Sequence, residues 1–250
     1  MPEYSSDEDN VPRQEASFNT THWSVVLTAR EQDESVAREA LGKLCSTYWY
    51  PIYAMVRRQG FPPHEAEDLT QEFFYRFLAR DSLRSVTPEA GKFRSFLLGC
   101  LKHFLINERE RAQTQRRGGG CPTLPLEGAT AETRYLLEPA DNVTPEVLFD
   151  RRWALTVLDQ ALQQLGEDYA ARQQGDLFES LKAFLPGSQV KVSRTEAAAR
   201  HNLSVSALDV AIHRLRQRFC ALLRAQVAET VASPDQVEEE LRYLVSMLGA

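Results

Sequence analysis

Residues 195–219, TEAAARHNLSVSALDVAIHRLRQRF, decide the fold of the C-terminal half, because they predict two helices joined by a tight turn. Ser193 and Glu196 have the S-x-x-E spacing of a capping box, which opens a helix. Asn202 suits the turn, since asparagine tolerates left-handed backbone angles, and Ser204 is a good N-cap for the second helix. The segment therefore predicts a helix-turn-helix.

The second predicted helix has two different faces. An apolar stripe for packing recurs at helical spacing and consists of Leu208, Ile212, Leu215 and Phe219. The remaining surface carries polar and basic side chains, namely Ser206, Asp209, Val210, His213, Arg214, Arg216, Gln217 and Arg218. A helix that packs on one side and enters a DNA major groove on the other has this pattern. An ordinary helical hairpin with a solvated arginine face fits it as well.

Composition describes a globular protein of one large or two small domains, with 250 residues, 43% hydrophobic and 26% charged. No apolar run approaches the ~20 residues of a membrane span. The polar start, MPEYSSDEDNVPRQE, is not a secretory signal. The four cysteines lack the paired spacing of a zinc site or a disulfide framework. We therefore expect a cytoplasmic protein with reduced thiols, no metal and no cofactor.

The net charge of −6 is unevenly distributed. Residues 1–16 and 225–250 each carry a net charge of −4, which leaves +2 for residues 17–224. The basic residues of this middle part bunch at Lys92, Arg94 and Lys102, at Arg109, Arg111, Arg116 and Arg117, and at Arg214, Arg216, Arg218 and Arg224. Acidic ends therefore hide local basic patches that suit a nucleic acid.

Nearly every segment predicts helix, since sustained period-2 alternation is missing. The predicted helices cover 34–60, 62–79, 93–115, a stretch from 144 to at least 165, 175–185, the helix-turn-helix and a short segment after 232 that places Leu241, Leu244, Val245 and Leu248 on one side. Pro51 predicts a bend or break near Tyr50. We expect an all-α fold.

Gly118 to Gly120, followed by two prolines, predict a flexible linker over 118–143, in which residues 135–137 can dock. The linker separates a helical domain at 17–117 from a second one at 144–229. A disordered acidic segment, 1–16, precedes them, and an acidic extension, 230–250, follows them.

Two predicted helices of the first domain carry candidate binding surfaces. In AEDLTQEFF, residues 66–74, Asp68, Gln71 and Glu72 share one face, while Leu69, Phe73 and Phe77 face the core. Such an acidic stripe can dock on a basic helix, although a plain solvated face has the same spacing. The helix from Phe93 places aromatic residues beside basic ones, as melted DNA requires. A core helix with a charged end is the alternative.

Together, AEDLTQEFF, the segment FRSFLLGCLKHFLINERER (93–111), TYWYPIY (47–53) and the ending IHRLRQRF (212–219) resemble bacterial RNA polymerase sigma factors. Within the sigma-70 family, the resemblance is to the extracytoplasmic-function (ECF) group. It covers roughly 20–117 as sigma region 2 and 145–224 as sigma region 4.

The resemblance implies a role for each candidate residue. Binding to the β′ clamp helices of core RNA polymerase is implied for Glu67, Asp68, Gln71 and Glu72. Contact with the −10 element is implied for the loop 81–91 and for Lys92, Arg94, Lys102, His103, Asn107, Arg109 and Arg111. Reading of the −35 element is implied for Ser204, Ser206, Asp209, Val210 and His213, with phosphate contacts from Arg214, Arg216 and Arg218.

The polymerase β flap, promoter DNA and an anti-sigma factor are the further partners that the resemblance allows. Residues 96, 103 and 107 are among those that depart from it, because family members usually have Trp at Phe96, Asn at His103 and Asp at Asn107. The −10 preference therefore does not carry over. The extension 230–250 has no counterpart in the minimal two-domain form.

The function expected from the sequence is a non-enzymatic sigma factor that binds core polymerase, recognises −35 and −10 elements and helps to open DNA. The main alternative is a helix-turn-helix regulator that is not a polymerase subunit. An interaction module that binds polymerase but not promoters also stays open. An enzyme is disfavoured, because the five histidines share no metal-ligand spacing and 118–120 lacks the strand and helix of a phosphate-binding loop.

Overall fold

The computed structural model describes residues 34–79, 92–114, 128–137, 143–188 and 192–249. Across these ranges the regular structure is helical and no strand occurs, which confirms the all-α prediction. The α-helices are α1 Glu34–Arg58, α2 Pro63–Ala79, α3 Phe93–Thr114, α4 Gly128–Leu136, α5 Pro145–Ala171, α6 Gly175–Leu181, α7 Arg194–Arg200, α8 Val205–Ala228 and α9 Val237–Gly249. Short 3-10 turns at Lys182–Phe184 and Pro234–Gln236 follow α6 and precede α9.

α1 runs without a break through Pro51, so the part of the prediction that allowed a break there is wrong. A proline inside a helix removes one backbone hydrogen bond and costs about 3 kcal/mol. Here the residues around it are fully buried, as Tyr48, Ile52 and Tyr53 show with at most 1% exposure. Packing of α1 along α5 offsets the local cost and keeps the helix continuous.

The first hydrophobic cluster joins α1, α2 and α3 to the N-terminal half of α5. Phe73 of α2 contacts Phe104 of α3, with ring centroids 5.6 Å apart. Tyr48 of α1 stacks on Phe149 of α5 at 6.4 Å. Trp153 of α5 is the largest fully buried side chain in this cluster. The apolar faces predicted for α2 and α3 therefore do form a core.

α5 belongs to both hydrophobic clusters of the described chain. It begins as predicted, with Thr144 as N-cap and Pro145 in the first turn, and the Val147 N–H donates to Thr144 Oγ1 at 3.3 Å. Its buried residues up to Val157 lie in the first cluster, and Ala161 and Leu165 lie in the second. The two clusters thus divide within one continuous helix.

The second cluster is built from the C-terminal half of α5 together with α6, α7 and α8. Leu208, Ile212 and Leu215 of α8 are buried, as their spacing predicts. Two small residues of α7, Ala197 and Ala198, are buried as well and allow a close crossing with α8. This cluster therefore positions the helix-turn-helix.

α4 lies inside the segment 118–143 that was predicted as a linker, and it packs on α1 and α2. Arg57 donates from Nε and Nη2 to the Glu132 carboxylate at 2.8 Å each, and Tyr53 donates to it at 2.6 Å. The hydrogen bonds from Arg57 are the main reason that the pKa of Glu132 is lowered. Of the three residues predicted to dock, Tyr135 is half-buried, whereas Leu136 and Leu137 are 73% and 80% exposed. The glycines at 118–120 lie outside the described residues.

After α8 the chain turns back over the start of α3. The Phe93 N–H donates to the Thr230 carbonyl at 3.1 Å, and Val231 is buried. α9 then packs on α5 and α8, with Leu244 fully buried. Val245 shares the predicted side of this helix with Leu244 but is 63% exposed. Within the described ranges, the helices are all too short or too polar to cross a membrane.

Candidate nucleic-acid interface

The turn of the helix-turn-helix has the predicted backbone. Asn202 adopts a left-handed conformation, with φ of 54°, and the Leu203 N–H donates to the Ala198 carbonyl at 2.9 Å. Ser193 stands at the N-cap of α7, but its side chain accepts no capping hydrogen bond. The predicted capping box with Glu196 is therefore not formed.

α8 begins and packs as predicted but runs further. Ser204 is its N-cap, and the Ala207 N–H donates to Ser204 Oγ at 3.1 Å. The helix continues past Phe219 to Ala228, where Val227 joins the first cluster. α8 is thereby packed against both clusters.

The outward face of α8 consists of exposed residues at i, i+3, i+4 and i+7, which we call the reading face: Ser206, Asp209, Val210 and His213. Val210 is 47% exposed. Asp209 forms a 3.4 Å ion pair with Arg194, which is exposed and begins α7. The reading face is continuous and lies opposite the buried stripe. Its side chains include groups that can donate and groups that can accept hydrogen bonds in a groove.

The three arginines predicted to contact phosphates differ in their surroundings. Arg216 donates from Nε and Nη2 to the Phe184 carbonyl at 3.1 and 2.7 Å. Arg218 pairs with Asp168 of α5 at 2.9 Å. Arg214 is exposed beside the reading face. Arg214 is therefore placed to meet a backbone directly, whereas the other two also tie α8 to its neighbours.

Five of the six residues of α3 that were predicted to contact DNA are exposed, namely Lys102, His103, Asn107, Arg109 and Arg111. Lys102 pairs with Glu146 of α5 at 2.9 Å, and this hydrogen bond is the main cause that lowers the pKa of Glu146. Arg109 lies over the Phe61 ring at 5.1 Å, and Arg111 pairs with Glu108 at 2.7 Å. His103 and Asn107 are exposed on the same helix, so these residues form one polar surface.

The acidic stripe on α2 consists of Glu67, Asp68, Gln71 and Glu72. Asp68 is exposed and the other three are partly exposed, while Phe73 and Phe77 are buried. Glu72 accepts from Arg76 at 2.5 Å, and Arg76 also reaches Glu108 of α3 at 2.6 Å. The stripe is thus presented by a helix that an ion-pair bridge fixes to α3.

Arg94 is enclosed rather than exposed. It is 5% exposed, donates from Nε to Glu240 at 3.0 Å and forms a close ion pair with Asp150. The Tyr243 ring lies 4.4 Å from its guanidinium carbon. Burial by itself lowers the pKa of Arg94, but the two carboxylates outweigh burial, so the net pKa is raised. In this arrangement the predicted DNA contact of Arg94 is blocked by protein.

Lys92 is held by the same helix, α9. Its ammonium lies 2.9 Å from Glu239 Oε1 and 2.9 Å from Glu240 Oε2. Burial tends to lower the pKa of Lys92, and the bonds to the two carboxylates more than offset this, so the pKa is raised. Sequence reasoning missed Asp150, Glu240 and Tyr243 as partners. The run of three glutamates at 238–240 was the available signal, since Arg242 is the one basic residue near it along the chain.

Further binding features are few in the described part of the chain. No group of three His, Cys, Asp or Glu side chains there is arranged to hold a metal ion. A cavity of about 680 Å³ lies between α5, α6, α7 and α8, and its lining includes Leu158, Leu162, Leu185 and Phe219. Comparisons with protein-family models, with curated proteins and with solved structures each find no match.

Proposed function

We propose that this chain is a sigma factor of the ECF group, which binds core RNA polymerase and directs recognition of −35 and −10 promoter elements and DNA opening. The observation that carries the proposal is the reading face of α8. It is exposed and continuous, it follows a turn with the predicted backbone, and it lies opposite a stripe whose Leu208, Ile212 and Leu215 are buried. Such a helix fits the major groove.

The acidic stripe on α2 supports the polymerase-binding half of the proposal. Its carboxylates are accessible at Asp68 and partly at Glu72, and aromatic packing behind them holds the helix rigid. Basic helices such as the β′ clamp helices are the expected partner of this surface. The polymerase β flap and an anti-sigma factor are further proposed partners.

The polar side of α3 supports a role at the −10 element. Exposed Lys102, Arg109 and Arg111 can pair with phosphates, while His103 and Asn107 can meet unpaired bases. In this proposal, α1 to α3 act as sigma region 2 within 17–117, and 144–229 acts as sigma region 4. The segment 118–143, with α4 docked in it, connects them.

Transcription in vitro with core polymerase and a promoter library tests the proposal. The full chain is expected to direct initiation from a subset of promoters that share −35 and −10 sequences. Asp68→Ala combined with Glu72→Ala should abolish co-purification with core polymerase, because it removes two charges from the stripe. Glu167→Ala with Asp176→Ala removes the same charge from exposed positions on α5 and α6 and should leave co-purification unchanged.

Two results would contradict the proposal. Tight binding to duplex promoters with no effect of core polymerase would favour a helix-turn-helix regulator. Binding to polymerase without any promoter preference would favour an interaction module.

A further inference from the structure

The first turn of α9 carries three consecutive glutamates that have different partners. Glu238 pairs with Arg224 of α8 at 2.8 Å. Glu239 and Glu240 both reach Lys92, each at 2.9 Å, and Glu240 also accepts from Arg94. Of these three neighbouring glutamates, one therefore forms an ordinary surface ion pair, and the other two bind the cations at the start of α3.

The surroundings of Lys92 resemble those that a bound phosphate would provide. A lysine ammonium binds phosphate and carboxylate oxygens through the same charge-assisted hydrogen bonds. Here Glu239 Oε1 already accepts such a hydrogen bond at 2.9 Å, and Glu240 Oε2 forms an ion pair with the ammonium at 2.9 Å. The ammonium cannot keep both and also contact a nucleic-acid backbone at full strength.

We infer that α9 is an internal competitor for nucleic acid, whose Glu239 and Glu240 occupy Lys92 in place of phosphate. Lys92 becomes available to DNA only when α9 leaves. The inference rests on the proposed function, in which Lys92 contacts the −10 element. By linkage, DNA bound at Lys92 weakens the docking of α9 by the same factor by which α9 weakens DNA binding.

α9 is attached in a way that permits such release. It has 13 residues, and helices of this length are marginal in water unless they are packed. Leu244 is its only fully buried apolar side chain among the described residues. The chain before it stays anchored through Val231 and through the Phe93 to Thr230 hydrogen bond. Exposed residues such as Ala232 and Pro234 lie between that anchor and α9.

The consequences for the two cations differ. Asp150 belongs to α5, so Arg94 keeps this partner when α9 leaves. Both of the carboxylates that hold Lys92 belong to α9. Release therefore adds one phosphate contact, that of Lys92, and this number sets the size of the expected effect.

Glu239→Gln combined with Glu240→Gln tests the inference, with Glu238→Gln as the matched control on the same turn. The probe is fluorescein-labelled, random-sequence, single-stranded DNA, titrated with the full chain over a range of salt concentrations. Loss of the two carboxylates that compete for Lys92 should raise the affinity for DNA at low salt by up to about fivefold. The slope of log Kobs against log salt should steepen by about 0.7, the value for one phosphate on single-stranded DNA. The control should change neither.

A second readout reports α9 directly and does not require DNA. The acylation rate of the Lys92 amine, followed by peptide mass spectrometry, should rise in the double variant and stay constant in Glu238→Gln. Glu239→Gln alone serves if the double variant unfolds, because the Glu239 side chain is 65% exposed and its loss leaves no buried group unpaired. When Lys92→Gln is added to the double variant Glu239→Gln with Glu240→Gln, the salt slope should return to that of the parent chain.

Three outcomes for the double variant would overturn the inference. They are an unchanged acylation rate of Lys92, an unchanged salt slope although acylation is faster, and no detectable binding to DNA at low salt. Failure of the proposed function gives a different pattern. Every form of the chain then fails to co-purify with core polymerase, while the acylation rate and the salt slope still report whether α9 blocks a DNA-binding lysine.

Discussion

Two surfaces predicted to contact promoter DNA differ in what covers them. The reading face of α8 is exposed, and its Val210 is 47% accessible. Arg94, at the start of α3, is 5% exposed and enclosed by acidic partners from α5 and α9. The same resemblance predicted both surfaces, yet one is open to a duplex and the other is occupied by protein.

The difference shows which kind of prediction a local pattern supports. On α8 the exposed and buried faces follow from helical spacing alone, because the residues of the reading face and the residues that pack recur at helical intervals within one segment. At Lys92 and Arg94 the environment depends on residues 56 and 146 to 148 positions away. The local sequence around Arg94 does not predict those partners.

The largest effect expected from this comparison is on stability, at Arg94. Arg94→Met should lower the free energy of unfolding by about 3–5 kcal/mol, because Asp150 would remain buried without a cation and Glu240 would keep only Lys92. Arg218→Met, which removes an arginine from an exposed pair with Asp168, should cost less than about 1 kcal/mol. Denaturant unfolding of both variants measures the difference. If both variants lost an equal, small free energy of unfolding, Arg94 would be solvated, and the start of α3 would be as open as the reading face.

A smaller effect is expected at the reading face, on DNA preference rather than on stability. Asp209→Ala or His213→Ala should change the preferred duplex sequence by about 1–3 kcal/mol per contacted base pair. Selection from a random duplex library, with the chain bound to core polymerase, measures the preference. Gln164→Ala, at an exposed position of α5, is the control. The open face would lose its assigned role if both variants selected the parent sequence.

The smallest effect is expected at Tyr243, which donates to Asp150 at 2.5 Å and lies over Arg94. Burial, together with this hydrogen bond, raises its pKa to about 12. The neutral phenol is therefore the form that the fold stabilises. Its contribution is fully present below the unfolded pKa of about 10 and is lost as the pH rises through about 12.

The parent chain should thus be more stable than Tyr243→Phe near neutral pH by less than about 1 kcal/mol, since the ring is only partly buried. The gap should close in alkali. Unfolding curves of both chains at increasing pH, with phenolate absorbance to follow the titration, provide the measurement. If the stability difference between the two chains stayed constant up to pH 12, the Tyr243 hydroxyl would not interact with the enclosed charges.

Much of the local structure could be predicted from the sequence, because caps, turns and helical periodicity act over a few residues. Thr144, Ser204 and Asn202 each have the predicted role. Ser193 does not, since occupying an N-cap position does not require the side chain to accept a bond. Pro51 shows the opposite case, in which tertiary packing outweighs a local helix breaker.

The candidate site divides in the same way. The amphipathic faces of α2, α3 and α8 were readable from spacing, and their exposed residues are where the spacing places them. The docking of α4 by Glu132 on Arg57 was not readable, because the two residues are 75 positions apart in the chain. The division of the two clusters within α5 was hidden as well, since one continuous apolar stripe serves both.

By itself, the sequence determined the helical class, the order and ends of most helices, and the two-faced character of α8. These features depend on hydrogen bonds and side-chain contacts within three or four residues. Only the tertiary structure decided that α9 returns to the start of α3 and that Glu239, Glu240 and Asp150 enclose Lys92 and Arg94. Ion pairing between distant residues depends on how the helices pack, and no local spacing encodes that.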